Sequence, residues 1–331
     1  MKILIPSRPR VAVLLLELFL TALFSSPLLA VDCSQTDITL SSQAEVDDFQ
    51  DDYGPCDRIV GGLTIDGEEI TNVDGLSGLV AMGNLRFLFT YALTSTAGLS
   101  DLTSIDGSLF FTDSNSLTNV DGLSNLASVG GTVRFSFMEA LTNLDGLSTL
   151  NQVGSILLEF NTALIDVDGF SSIQSVDTSI YLESNIALLN FDGFSNLSSA
   201  GVSFTLFGHT LLANIDGLAS LISVGEDFRM EHNPLLANCR SLVRLLDNTD
   251  HADPGPGPGS SGVPDVGDAV ILNGNLPGCN SIDQIINPIF RDGFESPKNV
   301  ITTVDDPANS VGFDTSIAIG NDDLPVVSYS L

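Results

Sequence analysis

The sequence predicts an all-β chain, a right-handed parallel β-solenoid of about seven coils of 23–24 residues closed by disulfide-bonded caps. Three observations predict it. One tripeptide recurs at a near-constant interval, apolar and polar residues alternate between its copies, and a pair of cysteines brackets each end of the repeats.

The chain opens on a segment with the features of a secretory signal, residues 1–30. Lys2, Arg8 and Arg10 precede an apolar stretch from Val11 to Phe24, and Ser25 to Ala30 supplies a small-residue exit. Glu17 interrupts that stretch, which is too short to span a bilayer comfortably. Asp32 stands before Cys33 where a lipoprotein signal needs a small residue. The expected product is an exported chain, secreted or at the cell surface, with the periplasm as the alternative and no membrane span after cleavage.

Charge narrows the partners. In 331 residues there are 11 Lys+Arg and 42 Asp+Glu, a net charge of −31, so nucleic acid and anionic membranes are opposed by long-range repulsion. An extracellular protein or glycan is the expected partner. Hydrophobic residues are 43% of the chain, enough for a continuous core.

The repeat is read from Asp74-Gly75-Leu76, Asp121-Gly122-Leu123, Asp145-Gly146-Leu147, Asp168-Gly169-Phe170, Asp192-Gly193-Phe194 and Asp216-Gly217-Leu218, with Ala97-Gly98-Leu99 filling the gap at intervals of 23 or 24 residues. Segments between the glycines are short and rich in Ser, Thr and Asn, too short for a helix of ten or more residues. They alternate instead. Val133, Phe135 and Phe137 are expected to point one way and Arg134 and Ser136 the other, with Ile156, Leu158 and Phe160, and Leu109 and Phe111, repeating the pattern. Each unit is then one coil, its main strand pairing in parallel with the next at about 4.8 Å. A coil cannot bury its inner face alone, so the stack is stabilised by neighbours and needs caps at both ends.

The caps are expected at Asp37 to Cys56, and at a short helix from Arg240 to Asp247 followed by a strand at Val270 to Leu272. Four cysteines allow three pairings. Cys33–Cys56 and Cys239–Cys279 are favoured because each brackets one end of the repeats, and such a bridge contributes about 3 kcal/mol.

Over Cys33 to Cys279 the sequence resembles the receptor L domain, the leucine-rich-repeat-like β-helix of insulin and growth-factor receptors that bacterial surface proteins share. The resemblance rests on the Cys33–Cys56 entry, Ile65-Asp66-Gly67, Asn72-Val73-Asp74-Gly75-Leu76, and the exit Asn233-Pro234-x-Leu236-x-x-Cys239. It implies a non-catalytic module that binds ligands or builds surfaces. Domain limits follow as 31–282 for the solenoid with caps, including a Pro/Gly insertion at 252–264, then a linker at 283–299. Residues 300–331 resemble the start of a β-propeller-like tandem repeat, with strands at Thr315 to Gly320 and Leu324 to Tyr329, and the expectation is either a truncated product or a disordered tail.

Candidate chemistry falls in columns at the coil interval. The Asp column is expected to form turns in which the carboxylate accepts backbone N–H bonds. Calcium bridging Asp121, Asp145, Asp168 and Asp192 is the sharper alternative. The preceding Asn72, Asn119, Asn143, Asn190 and Asn214 are expected to form a side-chain ladder. The second candidate is a ligand-binding face on the main strands. Its outward column reads Arg86, Phe110, Arg134, Leu157, Tyr181, Thr205 and Arg229, beside Leu88, Thr112, Ser136, Glu159, Glu183, Phe207 and Glu231. Arg and aromatic residues are the types enriched in binding hot spots. The plainer reading is that each Arg pairs with a neighbouring acid. His209, His232 and His251 show no metal-ligand spacing, and no phosphate loop or nucleophile elbow is present. No catalysis and no cofactor are expected. A spacer projecting a downstream domain, and more remotely a polysaccharide-acting β-helix enzyme, are the competing readings.

Overall fold

The computed structural model describes residues 30–246, 266, 267 and 269–286, together with strands 315–319 and 325–329. The expected leader up to residue 29, the insertion at 252–264 and the linker beyond residue 286 lie outside the described residues.

Most of the described chain is parallel β-sheet. The main sheet has eleven strands: β1 (Ile38–Leu40), β2 (Arg58–Asp66), β3 (Ala81–Leu88), β4 (Ser104–Ile105), β5 (Leu109–Thr112), β6 (Ser128–Ser136), β7 (Gln152–Glu159), β9 (Ile180–Glu183), β11 (Phe204–Phe207), β13 (Phe228–Glu231) and β14 (Val270–Asn273). A second, three-stranded sheet joins β8 (Ser175–Val176), β10 (Ser199–Ala200) and β12 (Ser223–Val224). Each strand pairs with its counterpart one repeat along, Leu109 with Val133 and Ile156 with Ile180 among them. That register is the arrangement of a parallel β-solenoid. Between the main strands every Asp-Gly-Leu or Asp-Gly-Phe is a 3-10 turn, as at Asp121–Leu123 and Asp168–Phe170.

The glycine of that turn has a packing reason. A Cβ on Gly122 would lie 1.8 Å from the Thr96 carbonyl oxygen, and one on Gly193 1.8 Å from that of Val167. The backbones of adjacent coils meet there, and only hydrogen fits. The alternation of 23 and 24 residues is structural too. The two 23-residue units contain β3 and β7, which run without a break. Four 24-residue units carry one more residue at the corner before the main strand and are split there into two strands, as at β4 and β5; in β6 the extra residue is taken up as a register shift between Val129 and Thr132.

Inward positions fill a continuous core. Phe87, Phe111 and Phe135 stack at 4.2 and 5.1 Å, and Phe204 stacks on Phe228 at 5.6 Å, all fully buried. Such ring pairs add about 0.5–1.5 kcal/mol beyond area burial. The entry cap is the helix Gln43–Asp47, held by a capping box between Ser42 and Glu45, and the turn Phe49–Asp52, with Val46 and Phe49 buried. At the exit, Arg240–Leu242 and Val243–Leu246 form one short helical stretch, β14 adds to β13, and the helix Ile282–Ile286 carries Ile285 into the core, past residue 282. Cys33–Cys56 and Cys239–Cys279 are both bonded. By itself, the segment 292–331 contains an antiparallel pair, β15 (Thr315–Ile319) and β16 (Pro325–Tyr329).

One expectation fails. Phe137 and Phe160 do not follow the inward alternation of Val133 and Phe135; they are exposed. From β3 onward the residue after each main strand adopts a left-handed conformation, and that twist turns its side chain out. The column is Phe89, Asp113, Phe137, Phe160, Ser184 and His232 at φ between 52° and 58°, with Gly208 and Gly274 in the same place.

Candidate functional site

The outward column forms as the sequence predicts. Arg86, Phe110, Arg134, Leu157, Tyr181, Thr205 and Arg229 are aligned strand by strand, and all are half-buried. Beside them run Leu88, Thr112, Ser136, Glu159, Glu183, Phe207 and Glu231 in equal register. The polar groups of this face are engaged with one another. The Arg86 guanidinium lies 5.8 Å from the Phe110 ring centroid. Arg134 pairs with Glu159 at 2.8 Å and donates from Nε to Ser136 Oγ, which in turn donates to Glu159. Those two side chains cover Ser136, which is fully buried although it points outward. Tyr181 donates to Glu183 at 2.5 Å; that bond, then desolvation, then the charges of Glu183 and Glu159 push its phenol up to about 12. Arg229 donates to Asp227 at 2.7 Å, which holds its guanidinium above the ordinary value.

The Asp column differs from expectation. Asp74, Asp121, Asp145, Asp168, Asp192 and Asp216 are exposed, and among the described residues their carboxylates accept no backbone N–H. The turn is closed by the side chain two residues earlier. Asn72, Asn119, Asn143, Asn190 and Asn214 each accept the N–H of the following Asp at 3.0–3.2 Å, and Asp166 does so for Asp168 at 3.3 Å. These asparagines therefore make Asx-type turns within a coil rather than a ladder between coils. Like charges remain along the column. Partial desolvation, then Asp166, Asp192 and Asp145, raise the Asp168 carboxyl above its ordinary value. Among the described residues no group of three or more His, Cys, Asp or Glu converges to hold a metal ion.

The buried column that does tie coils together was not foreseen. It follows the left-handed residue and reads Thr90, Ser114, Met138, Asn161, Asn185, His209, Asn233 and Asn275. Asn185 Oδ1 accepts from both the N–H and the side chain of Asn161, while Asn185 Nδ2 donates to Leu158 O at 2.9 Å. Asn275 Oδ1 serves Asn233 in the same way, and Asn233 Oδ1 accepts the His209 N–H at 3.0 Å. The His209 ring lies within 3.3 Å of the carbonyls of Asn185 and Leu182, and burial pushes it down to about 4. A recurring Asn161, Asn185, Asn233 at multiples of the coil interval was the available signal. His232, by contrast, sits at the left-handed turn and packs 5.1 Å from the Phe207 ring.

Two further surface features emerge. A recess of about 390 Å³ lies where the 23-residue coil of β7 is short of one residue, lined by Asp106, Ser128, Gly130, Gln152, Ser175 and Asp177 among others. The other is the corner after the main strands. Of thirteen large apolar side chains exposed among the described residues, ten lie between a main strand and the following turn, so the exposure is concentrated rather than scattered. Phe89, Phe137 and Phe160 are 47%, 44% and 37% exposed in left-handed backbone, a conformation that costs a bulky L-residue about 1–2 kcal/mol.

No family model, curated protein or solved structure matches the chain. No helix among the described residues is long and apolar enough to cross a membrane.

Proposed function

We propose that the chain is a non-catalytic recognition or adhesion module of the exported class, a right-handed solenoid of about seven coils of the receptor L domain kind. In this reading residues 1–30 are a cleaved signal, 31–282 form the core of the module, and the product acts outside the cell or at its surface. A protein or glycan ligand lies on the main sheet along Arg86, Phe110, Arg134, Leu157, Tyr181, Phe207 and Arg229. The observation that carries it is the alignment of these hot-spot residue types, half-exposed, on one continuous parallel sheet. Two disulfides and the acidic charge support a chain made for an oxidising, extracellular setting.

One observation favours a second reading, the spacer that displays a downstream domain: the three arginines of the face are already engaged by Phe110, Glu159 and Asp227. Protein and glycan arrays probed with the full chain separate the two. The module reading expects a ligand whose affinity falls by about ten-fold or more in Tyr181→Ala or Arg134→Ala. Folded variants that keep full binding overturn the assignment of the face, and blank arrays favour the spacer.

A further inference from the structure

The apolar corner is independent of the sheet face and has its own logic. From β3 onward the fold places a left-handed residue after every main strand, and glycine occupies that position at Gly208 and Gly274. Phenylalanine is among the worst residues for that conformation, yet it occupies the position in three of the first four coils of the column. Core packing does not explain the choice, because all three rings are exposed.

Their arrangement points to a particular partner. Phe137 and Phe160 stack with centroids 5.0 Å apart and planes within 4°. Phe160 thus covers one face of Phe137, and the other face looks toward the preceding coil. There the ladder lacks a rung, since Asp113 stands in place of a ring, and Phe89, accompanied by Tyr91 at 6.3 Å, resumes it one coil further on. Phe89 and Phe137 are two strands apart, about 9.6 Å, leaving room for one planar layer. The Asp113 carboxylate makes no hydrogen bond or ion pair among the described residues, and Glu139, exposed beside Phe137, makes none either. A planar cation satisfies each of these features: it stacks on the free ring face and neutralises the carboxylate.

We propose that this corner is the docking surface of a basic protein, and that an arginine side chain of that protein enters between Phe89 and Phe137 above Asp113. Guanidinium is planar and stacks on aromatic faces, whereas the lysine ammonium is a compact, strongly hydrated charge. A neutral aliphatic segment would bury Asp113 without a partner, which is costly. A second copy is opposed by the chain's net charge of −31. A neutral glycan would leave the Asp113 carboxylate without a counter-charge, although the Phe137–Phe160 stack takes up only one face of each ring. The proposal goes beyond the sheet-face reading and stands or falls separately from it.

The test is fluorescence anisotropy of labelled peptides with four arginines spaced by glycine and serine, against the lysine counterpart, titrated with the full chain at 0.15 M salt. The arginine peptide is expected to bind about ten-fold tighter than the lysine peptide, and Asp113→Asn and Phe137→Gly are each expected to weaken it by about ten-fold. Phe137→Gly should leave the melting temperature within about 3 °C of wild type, because glycine already serves this turn elsewhere. If that variant unfolds, Phe137→Asn, which tolerates the left-handed backbone, reads the same loss. Tyr181→Ala, on the sheet face, should leave the peptide affinity unchanged. Equal affinity for the two peptides reduces the effect to bulk electrostatics and overturns the proposal. So does binding that survives Phe137→Gly and Asp113→Asn, or a neutral oligosaccharide whose binding depends on Phe137.

Discussion

Two columns of the solenoid carry asparagines, an outer one from Asn72 onward and an inner one from Asn161 onward, and they do opposite things. The outer column, Asn119 and Asn143 among its members, closes a turn within a coil, and its side chains reach solvent. The inner column, Asn161, Asn185, Asn233 and Asn275, is buried and bonds one coil to the next. Identical side chains thus contribute locally or globally according to whether water is available as a replacement partner. A surface turn that loses its Asn can hydrate; a buried carbonyl cannot.

The sharpest way to break that contrast is Asn185→Ala. It strands the Asn161 N–H in the interior, removes a second hydrogen bond from Leu158 O and should cost about 3 kcal/mol by denaturant titration. A loss below about 1 kcal/mol would make the inner column dispensable. Next comes acid. His209 occupies the inner column and is neutral when folded down to about pH 4, while the unfolded chain protonates it near 6.5. Between those values the unfolded chain binds more protons, so stability is full above 6.5, falls as pH drops and has lost ~3 kcal/mol below 4. His209→Asn, which restores the rung, should remove that component of the acid transition; an unchanged midpoint sinks the assignment. Asn143→Ala on the outer column should cost only about 1 kcal/mol, measured the same way. The smallest effect is expected at Asp168→Asn. Relieving the raised, mutually repelling carboxylates should increase stability slightly, and added salt should shrink the gain. A variant less stable at low salt would show that the charge is needed.

How much was legible in the sequence depends on whether a contact lies inside one coil or between coils. Alternation in Val133, Arg134 and Phe135 gave the sheet, its register and the outward column directly, because a period of two is a property of a single strand. The disulfide pairs followed from where the repeats begin and end. The inner ladder escaped because its column mixes Thr90, Ser114, Met138 and His209 with the recurring Asn161, Asn185 and Asn233, which diluted the one residue type that signalled it. Phe137 and Phe160 were misassigned for a related reason. Alternation holds only while the backbone stays extended, and a residue at φ 57–58° ends it without any glycine to give warning. The Asp turns were credited to the Asp carboxylate, whereas the side-chain amide oxygen of the Asn two residues earlier faces the N–H.

The corner where 23- and 24-residue units differ also bears on how such a chain can change over generations. There, losing a single codon, as between Ile105 and Leu109, converts a split strand into one of the β7 kind and leaves every downstream column on its own side. The same loss inside Leu109–Thr112 would swap interior for exterior along the rest of that strand. Mutational drift in length is thereby funnelled to one edge of the molecule, and the faces that meet other molecules keep their spacing.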